Sequence, residues 1–308
     1  MRYRPFGRSG LSTSAVALCL TDDAARRGAD HVRALIFAGL EAGVNAYHIG
    51  GVEPVIAQTL GQALSVVDRS LVCVTLQAGV TRGRMGLSRD FSAKALSLAI
   101  DRTIEAGSLG YLDAVVLDDP DADELPRPSL DALKALRATG RVNMLGVAGQ
   151  NEAMDAYIST NAFDLLITPH NLRSGWKERN RLKQAIAMDM GVIAYGFFPP
   201  ELATPKKADA FAGRRRGLLA AITRPAEEHP LAGMGTYAFL HQTSNWTAEE
   251  ICLSFVLTEP SLSSVLVDTV DPAHLTALAA VPDRDMPPGL AAQVEMARFG
   301  PTAKARAG

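Results

Sequence analysis

Eight short runs rich in apolar and β-branched residues, most of them followed by a stretch of helical periodicity, constrain the fold of this chain more than any other feature. The runs are Ala15 to Leu20, Asn45 to Ile49, Leu71 to Gln77, Leu112 to Asp118, Met144 to Ala148, Asp164 to Pro169, Val192 to Phe197 and Ser264 to Val267. Between them lie helical patterns over His31 to Ala42, Val55 to Val66, Ala93 to Glu105, Ser129 to Ala138, Arg179 to Met190 and Ala248 to Thr258. Start and stop signals frame several of these: Asp30 and Gly43 around the first, Ser129 and Gly140 around the fourth, Asp271-Pro272 before the last.

Strands alternating with helices make βα units and a parallel sheet. A chain of 308 residues can bury one large core or two smaller ones, and no change of composition divides it. A single closed (β/α)8 TIM barrel is therefore expected over residues 1–300, with 301–308 as a disordered tail. A hairpin from Tyr3 to Ser14, turning at Gly7-Arg8-Ser9-Gly10, would cover its bottom. An open doubly wound sheet is disfavoured, because the first run ends Cys19-Leu20-Thr21-Asp22 with no G-x-G-x-x-G after it. In a barrel, chemistry sits at the carboxyl ends of the strands, so His48, Gln77, Asp118, Ala148, His170 and Tyr195 should ring one mouth.

A formal charge of −2, with 47% hydrophobic and 21% charged residues, suits a soluble globular protein and gives no reason to expect a nucleic-acid or membrane surface. No run approaches a spanning helix and the start lacks a signal-peptide pattern, so a cytoplasmic location is expected. Cys19, Cys73 and Cys252 sit in apolar runs without paired spacing and read as buried, reduced thiols.

Several segments in order resemble the aldo-keto reductase family. Gly43-Val44-Asn45-Ala46-Tyr47-His48-Ile49-Gly50-Gly51-Val52-Glu53 is similar to its G-[VI]-N-x-x-D-T-A-x-x-Y-G motif. Gly140 to Val147, Phe163 to Leu172 and Gly191 to Tyr195 match further family segments, and the likeness runs from Arg2 to about Leu278. The resemblance implies a barrel oxidoreductase with an Asp, Tyr, Lys and His catalytic tetrad. At those positions this chain has His48, Glu53, Gln77 and Asp118.

The family's Tyr acts as proton donor beside a Lys that lowers its pKa. Glu53, with a reference pKa of ~4.3, is ionised at neutral pH unless buried and then cannot donate. Gln77 carries no charge, and Asp118 would place a negative charge where the transition state develops one. Losing a general acid alone costs about 10²–10⁴ in rate. No catalytic residue is expected for the family reaction. Two enzyme alternatives are a rearranged proton donor and a metal-dependent site built from His48, Glu53 and Asp118, with Asp119 and His170 as further ligands. Against the latter, the run Asp118 to Glu124 also reads as a solvated acidic loop.

The resemblance also points to cofactor positions. The pair that holds the nicotinamide amide is Ala148-Gly149 here, and an assisting Gln is Ile167. Tyr195 matches the aromatic that stacks under the ring. Asp268, Thr269 and Asp271 fall in the segment that receives a 2′-phosphate in related enzymes; a carboxylate there opposes a phosphate and accepts from a ribose hydroxyl, favouring NAD(H) over NADP(H). His170, Arg214 and Arg215 complete the expected cofactor contacts, with Lys206, Lys207 and Arg216 in the same basic loop, which could clamp phosphates or meet an acidic partner. A barrel without its tetrad that still holds NAD(H) is similar to non-catalytic, alphaproteobacterial cell-division regulators of this family. That likeness implies action on the division GTPase FtsZ and the histidine kinase DivJ. A ligand-free structural barrel is the remaining reading, and the Ala-Gly end of the tail resembles protease-recognition tails.

Overall fold

A computed structural model of the chain describes residues 1–83, 86–203 and 237–299. The chain opens with an antiparallel hairpin of β1 (Tyr3–Pro5) and β2 (Ser12–Ser14). Then come β3 (Val16–Leu20), α1 (Asp22–Ala25), α2 (Ala29–Glu41), β4 (Ala46–Ile49), α3 (Pro54–Leu64) and β5 (Cys73–Ala78). A second hairpin, β6 (Val80–Gly83) with β7 (Gly86–Arg89), precedes α4 (Ala93–Gly107) and β8 (Leu112–Asp118). The next elements are α5 (Arg127–Ala138), β9 (Val142–Ala148), α6 (Ala153–Ser159), β10 (Leu165–Pro169), α7 (Trp176–Ala187) and β11 (Gly191–Tyr195). After residue 236 the chain supplies α8 (Ala248–Val256), β12 (Ser264–Asp268), α9 (Pro272–Ala280) and α10 (Leu290–Phe299).

Strands β3, β4, β5, β8, β9, β10, β11 and β12 pair in parallel and close into a barrel. All eight expected runs became its strands, with small shifts at their ends. The third starts at Cys73 rather than Leu71 because Arg69–Leu71 forms a 3-10 turn capped by Asp68. Three expected helix starts moved. That of the fifth pattern went from Arg179 back to Trp176, where α7 begins after Gly175. Gly28 is the cap of α2, leaving Asp30 in the first turn, where a carboxylate suits the helix dipole. Ser129 lies buried inside α5, which begins two residues earlier at Arg127. The β6–β7 hairpin was not anticipated.

Side chains alternate between two layers, as the strand period of two requires. Ala17, Ala46, Cys73, Ala114 and Val116 point into the barrel, while Val16, Leu18, Val74 and Val115 pack outward against the helices. The small inward residues leave room at the bottom for Phe6, fully buried beneath the strands. Gly7 follows with φ 53, and a Cβ on it would lie 2.7 Å from Gly191 N, so the hairpin can sit this close only with glycine there.

The bottom is tied by satisfied polar groups. Asn45 Oδ1 accepts from Ser14 N at 2.7 Å, and its Nδ2 donates to Ser12 O and Leu71 O. Arg4 donates to the carbonyls of Leu257, Glu259 and Leu262. Asp113, 1% exposed, accepts from Arg69 Nη2 and Val74 N, each at 2.8 Å. Arg69 donates further to Leu109, Tyr111 and Val72 carbonyls and lies over the Tyr111 ring. Among the described residues no helix is long and apolar enough to cross a membrane.

Candidate functional site at the barrel mouth

The carboxyl ends of the strands bring together His48, Gln77 and Asp118. His48 is buried, with Nε2 2.9 Å from Gln77 Oε1 and Nδ1 2.7 Å from Thr75 Oγ1. An amide oxygen has no proton to give, so Nε2 donates to Gln77, while the Thr75 hydroxyl, itself 3.5 Å from Tyr47 O, meets Nδ1. Burial favours the neutral form of the ring. Burial lowers its pKa, opposed by the Gln77 contact and by Asp118 nearby. His48 and Gln77, expected from the resemblance at the positions of an Asp and a Lys, thus form a mutually satisfied pair, with Thr75 as a third member.

Glu53 does not join it. The residue is exposed at the start of α3, and its side chain makes no cap there. The loop before it is held instead by Asp22, whose Oδ1 accepts from Val52 N at 2.8 Å and Glu53 N at 3.2 Å. Cys19, partly buried rather than enclosed, also lies at the mouth, where burial and then Asp268 push its thiol up. All three cysteines are free.

The loop from Asp118 to Glu124 is more than a solvated acidic run. Arg89, from the β6–β7 hairpin, donates to both Glu124 oxygens and, at 2.7 Å, to Asp119 O. That hydrogen bonding holds the Glu124 carboxyl down at about 2. Asn151 Nδ2 donates to Asp119 O, Pro120 O and Asp121 Oδ1, and Tyr157 OH donates to Asp121 O. The loop is the hub that joins the segments after β5, β8 and β9.

Asp119 explains Gly149. Its Oδ1 accepts from Gln150 N at 3.0 Å and Asn151 N at 3.2 Å, and a Cβ built on Gly149 would lie 1.9 Å from that oxygen. The volume that a side chain at 149 would fill is taken by the Asp119 carboxylate. Its neighbours Ala148 and Ile167 face the apolar barrel interior. Tyr195, half-buried at the end of β11, has its phenol pushed up to about 12 by burial and then by Asp119 and Asp118. That is the wrong direction for a proton donor at neutral pH. His170 is buried beside it, its amide donating to Tyr195 O at 3.1 Å.

At the end of β12, Asp268 reaches solvent, while partial burial raises its carboxyl above the usual range, opposed by Thr21 Oγ1 at 3.4 Å. Asp271 is the cap of α9, accepting from Ala273 N, which leaves Asp268 as the exposed carboxylate without a capping role. Thr269 is turned into a chain missed by sequence reasoning: its hydroxyl lies 2.9 Å from His274 Nδ1, and His274 Nε2 lies 2.8 Å from Glu249 Oε2. Arg214, Arg215 and their basic neighbours lie outside the described residues, as does the 301–308 tail. Among the described residues no three His, Cys, Asp or Glu side chains converge as metal ligands do, and His48, Glu53 and Asp118 are not gathered into such a set.

The mouth carries an aromatic face at Tyr195, a fixed carboxylate at Asp119 and an exposed carboxylate at Asp268. The fold is a closed parallel (β/α)8 barrel with these groups at the carboxyl ends of its strands. The aldo/keto reductase family model matches residues 32–294, and the chain belongs to that family. Among solved structures, the chain is similar to the aldo-keto reductase AKR11C1 from Bacillus halodurans. The holo form aligns with a TM-score of 0.74 at 15% identity, and the apo form with 0.69 at 14%, each covering 96% of both chains. No curated protein matches in sequence. Members of the family generally use NAD(P)H, which fits a nicotinamide cofactor here.

Proposed function

We propose that this chain is a non-catalytic member of the family that binds NAD(H) and acts as a regulator through protein contacts. In this it resembles the alphaproteobacterial division regulator KidO, a likeness that names FtsZ and the kinase DivJ as the partners to try first. The observation that carries the reading is the His48–Gln77 pair, closed on Thr75, with Glu53 out in solvent. Among the described residues no group there combines a transferable proton with a supporting positive charge, and carbonyl reduction needs both. Tyr195, the phenol at the end of β11, is tuned away from donation.

The preference for NAD(H) follows from Asp268, which accepts from a ribose hydroxyl and opposes a phosphate carrying about −1.5 to −2 charges. Calorimetry on the full chain should give tighter binding of NAD(H) than of NADP(H), by about tenfold or more, equivalent to about 1.4 kcal/mol. Asp268→Ser should narrow that gap. Equal affinities would remove the charge argument, and no binding of either nucleotide would leave a ligand-free barrel. A pull-down with FtsZ and DivJ, with and without NAD(H), tests the regulatory half; indifference to the nucleotide would sink nucleotide gating.

A further inference from the structure

We infer that Asp119 reads the edge substituent of the bound nicotinamide ring and makes the site select a carboxamide over a carboxylate. The inference rests on the NAD(H) reading above and deepens it. Asp119 is set before any ligand arrives. It adopts φ 48, its amide donates to Ala148 O at 2.6 Å, and its carbonyl accepts from Arg89 Nη2 at 2.7 Å and Asn151 Nδ2 at 3.2 Å. Its Oδ1 is held by the amides of Gln150 and Asn151. Asn151 is itself fixed by Arg181, which is 2% exposed and donates to Asn151 O at 2.8 Å and to Asp155 at 2.7 Å.

The place of this carboxylate matters as much as its rigidity. It fills the volume of the missing side chain at Gly149, beside Ala148 and Ile167, which offer no polar side-chain atom. Asp119 follows β8 and Tyr195 ends β11, so both stand at the carboxyl ends of the barrel strands with β9 and β10 between them. A flat ring lying on Tyr195 would present its edge to Asp119. An ionised carboxylate only accepts hydrogen bonds, so it takes an edge bearing N–H and repels one bearing another carboxylate. Among the described residues the second oxygen of Asp119 makes no hydrogen bond and is the atom left for that contact.

NAD⁺ and its deamido form, nicotinic acid adenine dinucleotide, differ only in this substituent. Calorimetry on the full chain should show NAD⁺ at least about tenfold tighter, the scale of one charge-assisted hydrogen bond gained against one repulsion. Asp119→Asn keeps an oxygen for the Gln150 and Asn151 amides and replaces the other by a donor. It should weaken NAD⁺ and bring the two ligands within about threefold, whereas Asp118→Asn should change the ratio less. Equal affinities in the unmutated protein would overturn the role of Asp119 while the NAD(H) reading stands. Equal narrowing by both variants would overturn it in favour of the general charge of the mouth. No binding of either ligand would remove both readings.

Discussion

The two ends of the barrel hold their charges in different ways. At the closed end, Asp113 is enclosed and answered by Arg69 and a backbone amide, Arg4 caps three carbonyls, and Asn45 bonds through both ends of its amide. At the mouth, Glu53 stands in solvent and Asp268 has, among the described residues, a long contact from Thr21. His48 there is buried between Gln77 and Thr75, which favours its neutral form. In a barrel of this kind, stability is written at the amino ends of the strands and chemistry at the carboxyl ends. One end can therefore keep what the fold needs while the other is free to change the groups it presents.

The largest effect expected is at the closed end. Arg69→Met leaves Asp113 buried without its cation and should lower unfolding free energy in urea by about 3–5 kcal/mol, with nucleotide affinity unchanged. Burial already raises the Asp113 carboxyl, so the folded state holds more proton than the unfolded one between the usual and the raised pKa. Stability from this group is present below the usual carboxylate range and lost as pH rises. The Arg69→Met loss should accordingly shrink in mildly acid buffer. A loss that is pH-independent would break the closed-end half of the comparison.

Gly149→Ala should come next, at about 1–3 kcal/mol, because the residue has φ 143 and a new Cβ would strike Asp119. It should also weaken NAD(H), which the closed-end change does not. His48 sharpens the contrast through pH. Its pKa is lowered by burial, so its contribution is present above about 6.5 and is lost as pH falls below that value. Urea midpoints should fall between about pH 7 and pH 5, and His48→Gln should flatten that slope. Glu53→Ala should be the smallest change, within about 0.5 kcal/mol, since the side chain is exposed and caps nothing. A larger loss would mean that Glu53 has a partner in the folded protein.

Much of this was legible from pattern alone. Strand period and helix spacing gave all eight barrel strands, because burial on both faces of a parallel sheet leaves near-continuous apolar runs. The first hairpin was legible from the glycines of its Gly7-Arg8-Ser9-Gly10 turn. The short exposed β6–β7 hairpin had no apolar signature to reveal it. At the mouth, His48, Gln77, Asp118 and Tyr195 were found by their strand-end positions. What sequence hid was pairing: that His48 closes on Gln77 and Thr75, that Arg89 reaches Glu124, and that Thr269 runs through His274 to Glu249 depends on loops meeting in space. Asp119 seemed part of an acidic run. The signal that it was more lay in Gly149, whose missing side chain leaves the volume that the Asp119 carboxylate takes.

The central claim is that this mouth holds a nicotinamide dinucleotide without reducing anything. The direct measurement is nicotinamide absorbance after mixing excess protein with NADH or NADPH and a panel of aldehydes and quinones at neutral pH. The His48–Gln77 pair predicts no oxidation beyond the protein-free rate, in a sample whose NAD(H) binding has been established by calorimetry. Oxidation that proceeds with the unmutated protein and disappears in His48→Asn or Glu53→Gln would contradict the account, because the mouth would then be moving a proton.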